Sequence, residues 1–380
     1  MMATKEKLRL CYISNPNSPH THRWVNWFVK QGHSICLLAD VPAQQPWPEV
    51  TLIDLSKKFY APIIRFPIWT VWLRRFLRQW QPDILHAHRV NSAGWLGAAS
   101  NFHPLVVTPW GSDVFLQPQH SRVAKFLANY TLKRADLVTV NSQTMQEQVI
   151  KLGAKKSTIK PVQFGVEVDI FNPVPPTTME IAAWRHKMGL PVTAHLVLSA
   201  RAPRPIYNIN IVIEAVAQVL KCFPDTIFLL SSYNTDLSYK SQLDELIKNM
   251  DLDSHVRWLP QTQDRSELAA LYCMSDVVVS VPSSDGTPIS VLEAMACGRP
   301  VVCSDLASVR ELITNKQDGY LVPVGKSKPL AEAICHLLDQ PELAADLGRV
   351  ARQVVVQKYN YELEMEYLQS LYRGLVPFSA

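Results

Sequence analysis

The sequence predicts an α/β protein with two doubly wound, Rossmann-like domains. Short apolar runs alternate with helical patterns along the chain, and this alternation breaks once, near residues 172–178. Such alternation favours parallel sheets with helices on both faces. A chain of 380 residues is long enough for two or three domains. With 47% apolar and 19% charged residues, its composition excludes collagen, coiled coil and disorder as the main architecture.

Thirteen apolar runs are predicted strands. They are 8–14, 34–39, 50–53, 83–86, 104–108, 136–140 and 158–162, then 194–200, 226–231, 255–258, 276–281, 300–303 and 319–322. Helical patterns lie between most of them, for example at 22–31 and 209–220, and two more close the chain at 341–357 and 360–373. The prolines of the 172–178 stretch predict a linker between the two halves.

We therefore expect an N-terminal domain at 1–173, a C-terminal domain at 174–358, and a last helix at 359–380 that returns to the N-terminal domain. Ligands of doubly wound sheets bind at the carboxyl ends of the strands. We expect the functional site in a crevice that the two domains face.

The charge differs between the halves. Residues 1–173 carry 20 Lys and Arg against 10 Asp and Glu, a net charge of +10, whereas residues 174–380 carry 18 against 23, a net of −5. Many of the basic residues lie among aromatic ones: Lys57, Lys58, Arg65, Arg74, Arg75, Arg78 and Arg89 with Phe59, Tyr60, Phe66, Trp69, Trp72, Phe76 and Trp80. This mixture suits an anionic membrane surface, or a core helix with a solvated basic face.

Targeting and redox signals are weak. The polar residues 1–7 lead directly into a predicted strand, which is unlike a signal peptide. No apolar run approaches the roughly 18 residues of a membrane span. The seven cysteines are odd in number and form no C-x-x-C pair, which favours buried thiols over disulfides or zinc. We expect a cytoplasmic protein, in one alternative peripheral on the inner face of the cell membrane.

A loop and a helix follow the predicted strand at 276–281. Thr287 with Pro288 fits an N-cap followed by proline at the first helical position, and Gly298 fits the residue after the helix end. The amides of Ile289 and Ser290 would then be free to bind an anion such as phosphate.

Two carboxylates flank that helix start. Asp285 and Glu293 could accept hydrogen bonds from sugar hydroxyls, so the loop suits a nucleotide sugar. The alternatives are a turn residue for Asp285 and a capping box with Ser290 for Glu293.

This stretch resembles the E-x7-E motif of retaining GT-B glycosyltransferases of the GT4 (glycosyl transferases group 1) family. Asp285 stands at the first Glu position and Glu293 at the second, within E-A-M-A. The resemblance extends over nearly the whole chain. It implies that Asp285 and the backbone of Gly286, Thr287 and Pro288 hold the donor sugar. It further implies that Ile289 and Ser290 amides hold phosphate and that Glu293 holds the ribose.

A second loop lies between the predicted strand at 194–200 and the helix at 209–220. Relatives usually have an Arg and a Lys here that clamp the diphosphate. Arg201 matches the Arg, Tyr207 stands where the Lys is expected, and Arg204 could supply a second charge. The alternative is a surface loop with two solvated arginines. In relatives the nucleobase contacts the backbone near Leu259, which here is at a predicted strand end.

The first half should hold the acceptor. His86-Ala87-His88 ends a predicted strand, and the family commonly shows this H-A-H. We expect the two imidazoles to diverge, with one buried and His88 facing the cleft as an active-site residue. No third metal ligand is evident beside the pair, so a metal site is not expected.

Relatives often have His where Trp110 stands, so His88, Asp113 and two hydroxyl-bearing neighbours of Asp113 are the remaining proton acceptors. The alternative for Asp113 is a cap of the following turn. In the first strand-to-helix loop, His20, His22 and Arg23 could line the crevice or form an exposed polar loop.

The resemblance implies transfer of a sugar from a nucleoside diphosphate sugar, with UDP the expected nucleotide, to a hydroxyl acceptor with retained configuration. It points to cell-surface polysaccharide, glycolipid or lipid-linked glycan synthesis, with no metal, cofactor or nucleic acid. We expect His88, Asp113, Arg201 and Asp285 to serve the chemistry. Two other functions fit: a GT-B nucleotide-sugar epimerase or hydrolase, and a non-catalytic binding module.

Overall fold

The computed structural model describes residues 7–55, 62–173, 178–261 and 264–376, with the backbone alone at 62–66, 178–181 and 187. The chain forms two compact units. Met1–Phe164 and Leu363–Ala380 form one, here called the N-terminal domain, and Gly165–Glu362 form the other, the C-terminal domain. Lys57, Lys58, Phe59, Tyr60 and residues 174–177 of the predicted linker lie outside the described residues.

The N-terminal domain contains a seven-stranded parallel sheet in the order β3-β2-β1-β4-β5-β6-β7. Its strands are β1 Arg9–Ser14, β2 Ser34–Ala39, β3 Val50–Asp54, β4 Ile84–His88, β5 Leu105–Thr108, β6 Leu137–Val140 and β7 Ile159–Pro161. Its helices are α1 Pro19–Lys30, α2 Pro62–Trp80, α3 Ser92–Ser100, α4 Ser112–Phe115, α5 Gln117–His120, α6 Arg122–Arg134 and α7 Gln143–Lys151.

The C-terminal domain contains a six-stranded parallel sheet in the order β10-β9-β8-β11-β12-β13. Its strands are β8 Leu196–Ser199, β9 Ile227–Ser231, β10 Val256–Leu259, β11 Val277–Ser280, β12 Val301–Ser304 and β13 Tyr320–Val322. Its helices are α8 Thr178–Lys187, α9 Ile209–Cys222, α10 Leu237–Asn249, α11 Arg265–Met274, α12 Ile289–Ala296, α13 Ala307–Arg310, α14 Ser327–Asp339 and α15 Pro341–Lys358.

The predicted pair of doubly wound α/β domains is confirmed, and each strand of the described residues overlaps a predicted one. Strands such as β11 are apolar throughout and buried at every position. Both faces of a parallel sheet are covered by helices, which removes the alternation of polar and apolar residues. In the C-terminal domain, Val278 belongs to the core on one face and Val277 with Val279 to the core on the other.

The last helix, α16 Tyr361–Leu375, reaches the buried face of the N-terminal sheet. The Tyr372 hydroxyl lies 2.5 Å from His86 Nδ1 on β4 and 3.2 Å from the Tyr12 hydroxyl on β1. Tyr372 is fully buried, and its ring stacks on Phe28 of α1 at 5.2 Å between centroids. A core position of this domain is therefore filled from the end of the chain.

Helix α2 carries most of the basic and aromatic residues noted above. Trp69 is buried, and Trp72, Phe76 and Trp80 pack against the domain core, as the core-helix alternative expects. Its arginines 74, 75 and 78 are exposed. Within the described residues, none of the helices combines the length and the apolar character needed to cross a bilayer.

Candidate functional site

The carboxyl ends of β8 and β11 bring together two of the predicted site residues. Arg201 Nη2 lies 2.6 Å from Asp285 Oδ2, and Arg201 Nη1 donates to Ser290 Oγ at 3.3 Å. The Arg201 and Asp285 side chains are only 10% and 17% exposed. The alternative of a solvated surface arginine is therefore wrong for Arg201, because its guanidinium is held inside a polar cluster.

Tyr207 packs against this cluster. The Arg201 guanidinium carbon lies 4.1 Å from the centre of the Tyr207 ring, within the range of a cation–π contact. The side chain that replaces the expected Lys therefore orients Arg201 rather than adding a charge. Asn208, which begins α9 in the left-handed conformation, donates to the Val281 carbonyl at 2.9 Å and ties the two loops together.

Arg204 is directed elsewhere. Its side chain is exposed, and it donates to the carbonyl and the side-chain oxygen of Asn234 at 3.0 and 2.9 Å. These contacts favour a role in bracing the loop, and a role in donor binding stays a prediction.

Helix α12 begins one residue later than expected. Pro288 is the N-cap residue, with extended backbone angles, so the predictions of Thr287 as N-cap and Pro288 as first helical residue are wrong. Ile289 and Ser290 are still the first helical residues, whose amides have no intrahelical acceptor. The capping box is also wrong, because Ser290 lies inside the helix and makes no cap. The prediction for Gly298 is confirmed: it follows the C-cap Cys297 with φ +66°.

Glu293 is buried on the second turn of α12. Its Oε2 accepts from the Tyr272 hydroxyl at 3.1 Å, and its Oε1 lies 3.4 Å from Arg265 Nη2. Arg265 also donates to Glu167 at 2.5 Å. Sequence reasoning missed Tyr272, Arg265 and Glu167, since no motif marks them as partners of a residue far along the chain.

The rest of the loop holds Asp285 in place. Asp285 Oδ1 accepts from the Gly286 amide at 2.8 Å, and the Asp285 carbonyl accepts from Ser308 Oγ at 2.7 Å. Thr287 is half-buried. Leu259 ends β10 and is buried in the domain core, and the loop that follows it includes 262–263, which lie outside the described residues. A nucleobase contact near Leu259 stays a prediction.

The histidine pair of β4 differs from its expectation. Residues two apart on a strand point to the same face. His86 and His88 are both buried, with ring centroids 4.7 Å apart, so the prediction that they diverge is wrong. Both ring nitrogens of His86 make structural hydrogen bonds: Nε2 lies 2.7 Å from Thr108 Oγ1, and Nδ1 is bonded to the Tyr372 hydroxyl.

His88 is placed differently. Its Nδ1 lies 2.9 Å from Ser14 Oγ, which in turn lies 2.7 Å from Thr21 Oγ1. Its Nε2 is buried and has no hydrogen-bond partner among the described residues. Burial, with smaller contributions from His20 and Arg89, lowers the pKa of His88 to about 3. The imidazole is therefore neutral near pH 7 and a weak base.

Asp113 joins two strand-end loops. Its Oδ2 accepts from the Val90 amide at 2.8 Å, and its Oδ1 accepts from the amides of Trp110 and Gly111 at 3.0 and 2.9 Å. Burial raises the pKa of Asp113, against the lowering effect of these amides. Three backbone donors, two of them buried, depend on one carboxylate, so its contacts favour the turn-capping alternative.

Aromatic rings surround His88. Trp110 lies 5.4 Å from it between ring centroids, and the Arg89 guanidinium lies 4.8 Å from the Trp110 ring. His20 stacks on Phe164 at 4.7 Å and meets Trp110 edge-on at 5.7 Å. These rings form a half-buried wall at the carboxyl ends of β1 and β5.

His20, His22 and Arg23 lie in the first turns of α1, so the prediction that they belong to a loop is wrong. His22 and Arg23 are half-buried. His22 stacks on Trp47 at 4.0 Å, and burial lowers the pKa of His22. The alternative of a fully exposed polar loop is therefore wrong for His22. Roles of His20, His22 and Arg23 toward an acceptor stay predictions. No group of three or more metal-ligating side chains is found in the part of the chain that the structure describes.

Each of the two domains matches a known protein family. Residues 180–354 match the family model described as glycosyl transferases group 1, and residues 9–142 match the one described as glycosyl transferase 4-like. Each of the two domains is therefore similar to a glycosyltransferase family. The first of these matches contains the Arg201 and Asp285 cluster, and the second contains His88 and Asp113.

Several curated glycosyltransferases are similar to part of this chain. The chain is 27% identical over 261 residues to a D-inositol 3-phosphate glycosyltransferase of Kineococcus radiotolerans, a match that covers 64% of the chain and 58% of that relative. It is 26% identical over 318 residues to a phosphatidyl-myo-inositol mannosyltransferase of Mycobacterium leprae, covering 79% and 75%. The chain thus spans less than two thirds of the first relative's length.

The fold of the two domains matches solved GT-B structures. Anabaena HepE in complex with UDP superposes with a TM-score of 0.80 at 19% identity, covering 97% of this chain and 100% of that one. At this identity the match concerns the fold.

Proposed function

We propose that this chain is a retaining glycosyltransferase that moves a sugar from a nucleoside diphosphate sugar, with UDP as the expected nucleotide, to a hydroxyl acceptor. The observation that carries the proposal is the Arg201–Asp285–Ser290 cluster at the start of α12. It combines a cation from the loop after β8 with a carboxylate and the first helix amides that follow β11. This is the set of groups that a diphosphate and a sugar require together.

The two carboxylates are suited to hydroxyl groups. A carboxylate offers about four acceptor positions. Asp285 uses its two oxygens toward Gly286 and Arg201, and Glu293 uses its own toward Tyr272 and Arg265. Asp285 therefore retains acceptor positions for hydroxyls of the sugar, and Glu293 is proposed to contact the ribose. Their fixed orientation means that little side-chain freedom is lost on binding.

The leaving group is a nucleoside diphosphate whose charge grows as the glycosidic bond breaks. Arg201 and the first amides of α12 are placed to stabilise this charge, as preorganised donors do in other enzymes. Asp285 and Tyr207 both hold the guanidinium, one by an ion pair and one by its ring. The arrangement needs no second basic side chain in the place of the missing Lys.

The proton of the acceptor hydroxyl needs a partner. In front-face attack with retention, an oxygen of the departing phosphate lies on the same side and can accept it. His88 would assist only weakly, because a pKa of about 3 makes its imidazole a poor base near pH 7. Asp113 is committed to three amides and is proposed to shape the loops.

The proposal is tested first by binding. Thermal shift with UDP, GDP and ADP should show one nucleotide that stabilises the chain. The corresponding sugar nucleotides are then offered with hydroxyl acceptors, and nucleotide release and product configuration are measured. Transfer with retained configuration is expected. If no nucleotide stabilises the chain, the donor assignment is wrong.

The same measurements separate the other functions. Donor turnover in the absence of any acceptor would identify a hydrolase or epimerase. Donor binding without turnover against every acceptor would identify a binding module.

We further propose that α2 contacts an anionic membrane that carries the acceptor. Ile68 and Val71 are exposed beside the exposed arginines 74, 75 and 78. Vesicles of phosphatidylglycerol should bind the chain and release it as salt is raised. Absence of binding at low salt would contradict this contact and favour an acceptor in solution.

A further inference from the structure

A cavity of about 480 Å³ lies in the N-terminal domain, away from the strand ends that carry His88 and Trp110. It is formed where α2, α3 and α6 end, and β4, β5 and β6 start just after these helices. It therefore lies at the opposite edge of the sheet from those residues. Its lining comes from the last turns of these helices and the residues just after α3, and it includes Arg74, Arg78, Tyr130 and Arg134.

The charge of the lining is of one sign. Three arginines face the cavity, and among the described residues that line it none is acidic. The ends of three helices meet here, and helix C-termini carry partial negative charge. The positive charge of Arg74 is balanced by the end of α3, because Arg74 donates to the Ala99 and Ser100 carbonyls there, at 2.7 and 3.2 Å.

The other two arginines are placed differently. Arg134 lies over the ring of Tyr130, with 3.8 Å from the guanidinium carbon to the ring centroid. Stacking fixes the guanidinium plane and leaves its N–H edge for a ligand. Arg78 is exposed one helical turn beyond Arg74 on α2. The two therefore present forked donors from two different helices to one cavity.

We propose that this cavity is a second ligand site that binds a phosphate-bearing molecule through Arg78 and Arg134. Guanidinium groups match phosphate oxygens in paired hydrogen bonds. Leu77, Ala98 and Phe102 supply an apolar floor beside the arginines, and the volume is that of an ordinary small-ligand pocket. The phosphate could belong to a soluble organic phosphate or to a lipid headgroup.

The first arm uses inorganic pyrophosphate as the probe and measures affinity by calorimetry. The measurement is made in an Arg201→Gln background, because the C-terminal domain is also proposed to take a diphosphate. Arg78→Gln and Arg134→Gln should each weaken binding by at least about tenfold, as loss of a charged hydrogen bond does. Arg75→Gln is the matched control, with the same charge change on the same helix outside the lining, and should have little effect.

The second arm replaces pyrophosphate with vesicles of phosphatidylglycerol. Loss of vesicle binding in Arg78→Gln and Arg134→Gln, but not in Arg75→Gln, would place a lipid headgroup in the cavity. Equal losses in all three variants would mean a diffuse electrostatic contact. Equal losses of vesicle binding combined with no binding of pyrophosphate would overturn the proposal. Pyrophosphate binding that neither Arg78→Gln nor Arg134→Gln weakens would also overturn it. Hydrogen exchange of residues 98–102 on adding pyrophosphate localises the effect, and protection elsewhere alone would also overturn it.

Discussion

The polar groups around Arg201 and those around His88, at the strand ends of the two domains, differ in charge. In the C-terminal domain, ionised side chains are paired and held: Arg201 with Asp285, and Arg265 with Glu167 and Glu293. In the N-terminal domain, the corresponding position holds a neutral imidazole among aromatic rings and hydroxyl groups. An anionic leaving group requires charge in place before the reaction, whereas a hydroxyl acceptor requires a site that does not repel it.

The largest expected effect comes from removing the charge on the C-terminal side. Arg201→Gln should lower turnover of the donor found in the nucleotide screen by at least about 100-fold, since removing one preorganised donor costs about 10²–10³ in rate. Steady-state kinetics measures this loss. Arg204→Gln is the matched control and should lose less than about threefold, because its guanidinium is bound to Asn234. Equal losses in the two variants would contradict the different roles given to them.

The buried imidazole of the N-terminal side should appear in the pH dependence of stability. A folded-state pKa of about 3, below the usual value near 6.5, means that protons bind the unfolded chain first. Stability is therefore lost as the pH falls from about 6.5 toward 3. By pH 4.5, His88 alone should have lowered the free energy of unfolding by about 2–3 kcal/mol relative to pH 7.

Native-state hydrogen exchange of the β4 amides measures the local unfolding free energy at pH 7 and 4.5. The wild type should lose more free energy between these values than His88→Gln. His86 contributes in the same direction, since burial also lowers its pKa well below the usual value, so the variant should retain part of the loss. Parallel profiles for the two proteins would contradict the assignment to His88.

Features set by neighbouring residues in the chain were predictable from the sequence, whereas contacts between particular residues far apart in the chain were not. The strands were predictable because both sheet faces are covered, which leaves apolar runs such as β11. The approach of Arg201 to Asp285 was predictable because both follow strands at the same sheet edge. The last helix was expected to return to the N-terminal domain, but its contact between Tyr372 and His86 was not, because an ordinary helical pattern does not indicate which side chain faces β4.

Local geometry was the second source of error. The start of α12 depends on the backbone angles of Pro288, which the residue types Thr-Pro alone do not determine. The partners of Glu293, Tyr272 and Arg265, come from α11, and Glu167 ahead of α8 holds Arg265 in turn; these groups meet only after folding. A functional residue can thus be found from a motif while the groups that orient it remain hidden.

Asp113 provides a test of stability rather than rate. Asp113→Asn keeps one oxygen but places an amide NH2 near a backbone N–H, so at least one buried donor loses its acceptor. The unfolding free energy should fall by about 1–3 kcal/mol. Urea titration measures it, with Ser112→Ala, an exposed neighbour, as the control. A variant of unchanged stability but much lower turnover would mean that the carboxylate serves the chemistry.

The smallest expected effect concerns proton transfer by His88. A general base commonly contributes about 10²–10⁴-fold, but that range requires a pKa near the working pH. With a pKa of about 3, His88 should contribute near or below the lower limit, so His88→Ala should reduce kcat by about tenfold. Binding of UDP should be unchanged, because the nucleotide is proposed to bind the C-terminal domain. His120→Ala, an exposed histidine of α5, is the control for loss of an imidazole. An unchanged kcat in His88→Ala would leave the donor phosphate as the proton acceptor, whereas a loss above about 1000-fold would require His88 to be the base and its pKa to rise when the donor binds.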